Sequence, residues 1–173
     1  MTSPDDLNDF FADSTDFELC SNLAVVIENC YSFEALRQHK PGIPHERWVI
    51  HGIWSSLGLL ECEGYSTFWG SDLDHQGFAD GLEEIGFEIL ASIIRDSIAI
   101  VPPEVLGNWD AVEAHSASEG DRDEAADLMD DKLISSHPDF TGKLARYARD
   151  RRHTFADLLD GLKKQREYIN SLL

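Results

Sequence analysis

The sequence predicts a single compact all-α domain of six to eight helices, and three observations support this class. Apolar residues recur at helical spacing in several long segments. Glycine and proline fall between these segments, where helices begin or end. No segment alternates apolar and polar residues between hairpin turns, as a strand would. The length of 173 residues suits one domain with a core of its own.

The first half of the chain contains two predicted helices. Residues 1–10 are candidates for a frayed end. A helix follows, and its apolar residues are Phe17, Leu19, Leu23, Val26 and Ile27. The second helix begins near Pro44, because proline suits the first helical turn, and Gly64 is expected to stop it. Its apolar stripe consists of Ile50, Ile53, Trp54, Leu57 and Leu60.

A long central helix is predicted between Gly77 and Val101. Its apolar residues form a stripe so wide that the helix is expected to be buried on most sides. They are Leu82, Ile85, Phe87, Ile89, Leu90, Ile93, Ile94 and Ile98. Gly86 is expected to mark a kink or a close helix crossing, and Pro102 and Pro103 end the helix.

The last third of the chain contains a loop and three predicted helices. Residues 107–120 are predicted to be a loop with little fixed structure, and 121–134 to be a helix. Another helix begins at Pro138 and runs to about Arg151. Residues 154–157 resemble a capping box in which aspartate replaces glutamate. The last helix follows, with Phe155, Leu158, Leu159, Leu162 and Ile169 on one face.

Composition favours a cytoplasmic protein. The first 17 residues contain no Lys or Arg and no apolar run of signal-peptide length, so no leader is expected. No window has the length and apolar character of a membrane span. The three cysteines, Cys20, Cys30 and Cys62, form no CxxC pair, and we expect reduced thiols that are mostly buried.

The chain is strongly acidic, with 33 Asp and Glu against 14 Lys and Arg and a net charge of −19. Residues 1–131 carry −23, whereas 132–173 carry +4. This balance argues against direct binding to nucleic acid or to an anionic membrane, because both need a basic surface. The simpler interpretation of the basic quarter is that it packs on the acidic body and neutralises part of it.

One segment matches the spacing of a calcium loop. Asp72, Asp74, Gly77, Asp80 and Glu83 occupy the first, third, sixth, ninth and twelfth positions of the pattern D-x-D-x-x-G-x5-E. Carboxylate oxygens at this spacing could bind a divalent cation or support a metal-assisted reaction. The alternative is an acidic turn followed by the acidic first turn of a helix.

No other motif indicates catalysis. The histidines form no HExxH, HxH or i,i+4 pair, and Cys62 has no orienting partner motif. Serines 55 and 56 lack a nucleophile elbow, and the glycines form neither a P-loop nor a dinucleotide fingerprint. We therefore expect no catalytic residue, no cofactor and no metal.

The acidity itself remains as the candidate functional feature. Closely spaced carboxylates lower the stability of the folded chain because they repel each other. We therefore expect them either to keep the protein soluble or to bind a partner that supplies positive charge. Carboxylates on a rigid helical scaffold could imitate the phosphate array of DNA. The candidate partner surface consists of Glu61, Glu63, Asp72, Asp74, Asp80, Glu83, Glu84, Glu88, Glu119, Asp121, Asp123, Glu124, Asp127, Asp130 and Asp131.

Residues 44–155 resemble the bacterial DNA-mimic-protein domain family. The resemblance depends on Glu46-Arg47-Trp48, on Glu61 to Trp69, and on the run from Phe78 to Gly86 that continues to Pro102. Leu128 to Leu133 and Leu144 to Arg149 resemble the C-terminal helices of that family. The family's Asn-Gly-Gly-Phe turn is Cys62-Glu63-Gly64-Tyr65 in this chain.

The resemblance implies an all-α fold that is often dimeric and has no known catalysis. For some members it implies an acidic face that occupies the DNA site of a transcription factor. Gly64, Tyr65, Phe68, Trp69 and Gly86 would then be fold determinants. The expected partner is a basic protein such as a DNA-binding regulator, with a homodimer as a further expectation. A cation-binding protein and a scaffold or immunity-type protein, acidic for solubility, remain the alternatives.

Overall fold

The computed structural model describes residues 4–118, 131 and 139–172, and all secondary structure in these residues is helical. The all-α class is therefore confirmed. The described part already contains nine α-helices and one 3₁₀ helix, more than the six to eight predicted. They are α1 (Pro4–Asp13), α2 (Asp16–Cys30), α3 (Phe33–Arg37), α4 (His45–Gly70), α5 (His75–Glu84), α6 (Glu88–Ala99), α7 (Trp109–Ser118), α8 (Phe140–Asp150), the 3₁₀ helix (Arg152–Leu158) and α9 (Leu159–Asn170).

The chain divides into two compact units. The first, which we call the split unit, contains residues 1–54 and 139–173, and the central unit contains residues 55–138. The boundary falls between Trp54 and Ser55, inside α4. The prediction of a single domain stays a prediction. Among the described residues, no helix has both the length and the apolar character needed to cross a membrane.

In the split unit, α2 begins with a capping box. The Thr15 Oγ1 accepts a hydrogen bond from the Glu18 N–H, and the Glu18 carboxylate accepts one from the Thr15 N–H at 2.9 Å. These reciprocal bonds satisfy two backbone donors that a helix start would otherwise leave unpaired. The bonds that the Glu18 carboxylate accepts from the Thr15 N–H and from the Thr15 hydroxyl, at 2.8 Å, hold the pKa of Glu18 below its ordinary value. The predicted helix at this place is confirmed, with Leu19, Leu23 and Ile27 fully buried.

The ends of the chain differ from the sequence-based expectation. Residues 4–13 form α1 instead of a frayed end, because Leu7, Phe10 and Phe11 are buried. The predicted capping box at Thr154 is wrong. A 3₁₀ helix occupies this place, and the Thr154 hydroxyl donates to the Arg151 carbonyl at 2.9 Å instead of accepting from the helix start.

In the central unit, α4 bends at Gly64. The backbone there has φ 75° and ψ −179°, whereas the residues on both sides are helical. The predicted stop is therefore a break after which the helix resumes as far as Gly70. The resumed turn buries Tyr65, Phe68 and Trp69, so these aromatic residues belong to the core.

The single helix predicted between Gly77 and Val101 is wrong, because the chain forms α5 and α6 with Gly86 between them. Gly86 has φ 84°, the left-handed conformation that glycine adopts without steric cost. The Gly86 N–H bonds to the Glu83 carbonyl at 3.0 Å, and the Phe87 N–H to the Leu82 carbonyl at 2.8 Å. These two bonds define a Schellman motif, which ends α5.

The loop predicted for residues 107–120 is also wrong over most of its length, because 109–118 form α7. The Asn108 Oδ1 accepts a hydrogen bond from the Ala111 N–H, which caps the helix start. The Gly107 N–H donates to the Trp69 carbonyl at 2.8 Å and ties this segment to the end of α4. The helix predicted over 121–134 lies outside the described residues apart from Asp131.

Candidate functional site

The two units differ sharply in charge. Residues 55–138 contain 19 acidic and 3 basic residues, so the central unit carries −16. Residues 1–54 and 139–173 contain 14 acidic and 11 basic residues, so the split unit carries only −3. Within the described part of the central unit, Arg95 is the only lysine or arginine. The candidate functional site is therefore the acidic surface of this unit.

The exposed face of α5 is acidic. Asp80, Glu83 and Glu84 are exposed, and their spacing places Asp80 and Glu83 almost in line along the helix. Arg95 on α6 donates from Nη2 to the Asp80 carboxylate at 2.8 Å and to the Glu83 carboxylate at 2.5 Å. Two of the predicted partner-binding acids are thus already paired within the chain.

The pairing with Arg95 changes the acidity of Asp80. The bond from Arg95 holds the pKa of the Asp80 carboxyl below its ordinary value, and a bond from Gln76 Nε2 at 2.9 Å acts in the same direction. Both carboxylates of this pair remain more than half exposed, so solvent weakens the attraction. The pair therefore orients α5 against α6 but leaves the acidic face open to water.

The calcium-loop interpretation finds no support in the geometry. A calcium loop needs an irregular backbone around its ligands, whereas α5 begins at His75 and continues through Asp80 and Glu83. The Asp74 side chain instead accepts the Gly77 N–H at 2.9 Å and caps α5. Within the residues that the structure describes, no group of three His, Cys, Asp or Glu side chains is placed to hold a metal ion.

The other predicted acids divide into three groups. Asp72, Glu88 and Asp131 are exposed, and Glu88 lies in the first turn of α6, where the helix dipole favours a negative charge. The backbone of Glu61 and Glu63 belongs to α4, but their side chains are outside the described part of the chain. The remaining positions also lie outside the described residues, namely Glu119, Asp121, Asp123, Glu124, Asp127 and Asp130.

A buried aromatic cluster supports the acidic helices of the central unit. The rings of Tyr65 and Trp69 lie 5.9 Å apart, and that of Phe68 contacts Phe78 at 5.6 Å and His75 at 4.8 Å. The His75 Nε2 is 2.7 Å from the Phe68 carbonyl oxygen, within hydrogen-bond distance. These contacts pack the end of α4 against the start of α5, the helix that carries the acidic face.

The sequence did not reveal where the basic residues would bind. Arg149 on α8 donates to the Asp16 carboxylate at 2.5 Å and to the Phe11 and Ser14 carbonyls at 3.2 and 2.9 Å. Lys163 on α9 pairs with Asp6 at 3.2 Å. The expectation that the basic quarter packs on acidic residues is therefore confirmed for these contacts, which all lie inside the split unit.

A further arginine clamp joins distant parts of the split unit. Arg47 is only 7% exposed and donates to the Tyr31 hydroxyl at 3.1 Å, to the Thr154 carbonyl at 2.9 Å and to the Asp157 carboxylate. Arg47 is buried whereas Asp157 is largely exposed, and a buried guanidinium group needs its acceptors, so this arginine has a structural role. Its partner Asp157 belongs to the predicted capping box, which does not form because Thr154 lies inside the 3₁₀ helix and its hydroxyl donates to the Arg151 carbonyl.

The described thiols and the buried histidine of α4 do not suggest a catalytic pair. The Cys20 Sγ donates to the Thr141 carbonyl at 3.7 Å, and burial raises the pKa of this thiol to about 12, far above the range of a reactive thiolate. Burial lowers the pKa of His51, and Glu28 at 3.8 Å partly opposes this shift. Cys30 is exposed, contrary to the expectation of mostly buried thiols for this residue.

Neither a family model, nor a curated protein, nor a solved structure matches the chain at a significant level.

Proposed function

We propose that this chain is a non-enzymatic interaction protein whose central unit binds a basic surface of a partner protein. The observation that carries the proposal is the segregation of charge, −16 in residues 55–138 against −3 in the rest. If acidity served only to keep the chain in solution, both units could share it. Its concentration on one unit produces a strong local field, which favours a basic partner.

A DNA-binding regulator is the partner class that we favour. Its basic surface is built to bind a regular array of phosphates, and carboxylates on rigid helices can present a comparable array. The resemblance to the DNA-mimic-protein domain family supports the same choice, and membership of that family is part of the proposal. So are a bacterial cytoplasmic location and a homodimer.

Helix α5 gives the proposed surface its most regular part. Asp80, Glu83 and Glu84 are exposed on a helix held by the Schellman motif at one end and by the Asp74 cap at the other. An incoming cationic side chain would compete with Arg95 for the first two of these acids. We therefore expect Arg95 to weaken binding, so that Arg95→Gln strengthens it.

Affinity capture from a bacterial lysate, followed by binding measurements on the purified partner, tests the proposal. Binding should weaken steeply as salt rises, because ions screen exposed charges within about 10 Å at 0.1 M. Duplex DNA should displace the protein from a DNA-binding partner. An acidic partner, or an affinity that stays constant from low to high salt, would refute the proposal.

Matched variants locate the surface. The double variant Glu84→Gln, Glu88→Gln removes two exposed acids from the central unit. The double variant Asp160→Asn, Glu167→Gln removes two exposed acids from the split unit, on α9. We expect about a tenfold loss of affinity for the first variant and little change for the second. Equal losses would show that net charge, and not the central unit, determines binding.

A further inference from the structure

A cavity of about 260 Å³ opens between α1 and the end of α8, inside the split unit. Its apolar lining comes from Phe11 and Ala12, and its polar lining from Asn8, Arg149 and Arg152. The volume lies just below the usual range for small-molecule sites, which begins at about 300 Å³, so the cavity suits a small ligand. Both guanidinium groups belong to the split unit, which contains 11 of the 14 Lys and Arg residues of the chain.

The polar wall of this cavity is held in place by the fold. Arg149 donates to two backbone carbonyls and to Asp16, which fixes its guanidinium group against the end of α1. Arg152 donates from Nε to the Asn8 Oδ1 and from Nη1 to the Arg149 carbonyl at 3.1 Å. Arg152 is exposed, and these two bonds hold its guanidinium group at the rim of the cavity.

The donors at this wall are not all used. A guanidinium group has five N–H donors, and Arg152 engages two of them with acceptors in the described part of the chain. Both acceptors are uncharged, whereas Arg47, Arg95 and Arg149 each bind a carboxylate. The Asn8 amide accepts through its oxygen, which leaves its N–H donors for another acceptor. The positive charge of Arg152 has no carboxylate partner among the described residues.

We propose that this cavity binds a small carboxylate that carries an apolar group. The carboxylate would accept hydrogen bonds from Arg152 and Asn8, since a guanidinium group matches the two oxygens of a carboxylate. The apolar group would lie against Phe11 and Ala12. This site is independent of the acidic surface of the central unit.

Titration of the full-length protein with sodium benzoate, followed by NMR and calorimetry, tests the site. We expect saturable binding with a dissociation constant of roughly 1 mM and shifts of the Asn8 and Arg152 side-chain signals. Benzyl alcohol, which lacks the carboxylate, and inorganic phosphate, which lacks the apolar group, should each bind about tenfold more weakly. A peptide with a C-terminal phenylalanine carboxylate shows which kind of carboxylate the cavity prefers. Tighter binding than benzoate indicates the C-terminus of a peptide as the natural ligand, and weaker binding indicates a small organic acid.

Two variants and one control complete the experiment. Arg152→Gln should weaken benzoate binding about tenfold, and Ala12→Leu should block it by filling the cavity while the arginines remain. Arg146→Gln removes an exposed arginine of α8 that does not line the cavity and should leave binding unchanged. Absence of saturable binding up to about 10 mM benzoate, or equal losses in Arg152→Gln and Arg146→Gln, would overturn the proposal. Circular dichroism melts verify that each variant folds.

Discussion

Replacing Gly64 with alanine is expected to destabilise the central unit. With φ 75° and ψ −179°, Gly64 occupies a region of backbone conformation that is open essentially to glycine alone. Any L-residue there would place its Cβ against the neighbouring backbone. The chain must keep this conformation because Tyr65, Phe68 and Trp69 reach the core only after the break in α4.

The size of the effect follows from the conformation. A residue forced into such a region costs about 1–3 kcal/mol. For a protein of this length, 1 kcal/mol changes the melting temperature by about 2–4 °C. We therefore expect Gly64→Ala to lower the melting temperature by roughly 2–12 °C.

Gly58 provides a matched control in the same helix and the same unit. A Cβ at Gly58 would meet no atom within 4 Å, and its backbone is helical. Alanine is a better helix former than glycine by about 0.8–1.0 kcal/mol, so Gly58→Ala should raise the melting temperature by a few degrees. Circular dichroism during heating and urea unfolding measure both variants. If Gly64→Ala were as stable as the unchanged protein, the break in α4 would not require glycine.

Three further predictions concern Asn22, Gly70 and His51. Asn22 is 1% exposed, and its Oδ1 accepts no hydrogen bond within the described residues. Asn22→Leu should therefore raise the free energy of unfolding, measured by urea unfolding, by about 1 kcal/mol. A loss of stability would contradict this prediction. A Cβ at Gly70 would overlap Cε3 of Trp109 and lie 3.3 Å from the Trp109 Cα. Gly70→Ala should therefore lower the free energy of unfolding by about 1–3 kcal/mol. Adding Trp109→Ala removes the overlapping ring and should restore much of this stability. Because the pKa of buried His51 is lowered from 6.5, the unfolded state binds the proton more readily and stability should fall as the pH drops below about 6.5. Urea unfolding at about pH 7 and about pH 5 should show that His51→Gln loses this part of the fall, and an unchanged fall would exclude His51 as its cause.

Helical periodicity predicted the helices whose apolar stripe is long and does not run on into the stripe of the next helix. For α2 and for the part of α4 before Gly64, the apolar spacing identified most of the core residues, but the predicted Phe17 is 64% exposed and the predicted Trp54 is only half-buried. It failed between Gly77 and Val101, because the buried residues of α5 and α6 continue the same pattern across the junction. Gly86 was the signal of the true boundary, since its left-handed backbone ends α5.

Short polar helices were hidden for a different reason. Among the side chains of α7 that the structure describes, residues 109–114, Val112 is the buried apolar one, so no stripe was visible, although Asn108 is a strong N-cap residue. Thr15 and Glu18 formed a better capping-box signal than Thr154 and Asp157, and only the first pair caps a helix. The second pair forms no cap because Thr154 lies inside the 3₁₀ helix and not at a helix start. Asp157 binds Arg47 instead, and local spacing cannot reveal a contact between residues 110 positions apart.

The structure changes how the charge of −19 should be understood. The sequence divides it into an acidic body and a basic quarter, which suggests that the quarter offsets the body as a whole. The described bonds of Arg149 and Lys163 instead reach Asp16, two backbone carbonyls and Asp6, all within the split unit. These cations hold α1 and α2 against α8 and α9, so their charge is used for folding.

The central unit is left with a local charge of −16 and, among its described residues, Arg95 as the one guanidinium group. Self-repulsion of this kind lowers stability, and counter-ions or a basic partner would relieve it. A basic partner that replaces many ions at once gains affinity at low salt and loses it at high salt. The same charge that destabilises the central unit alone would therefore supply the driving force for the complex that we propose.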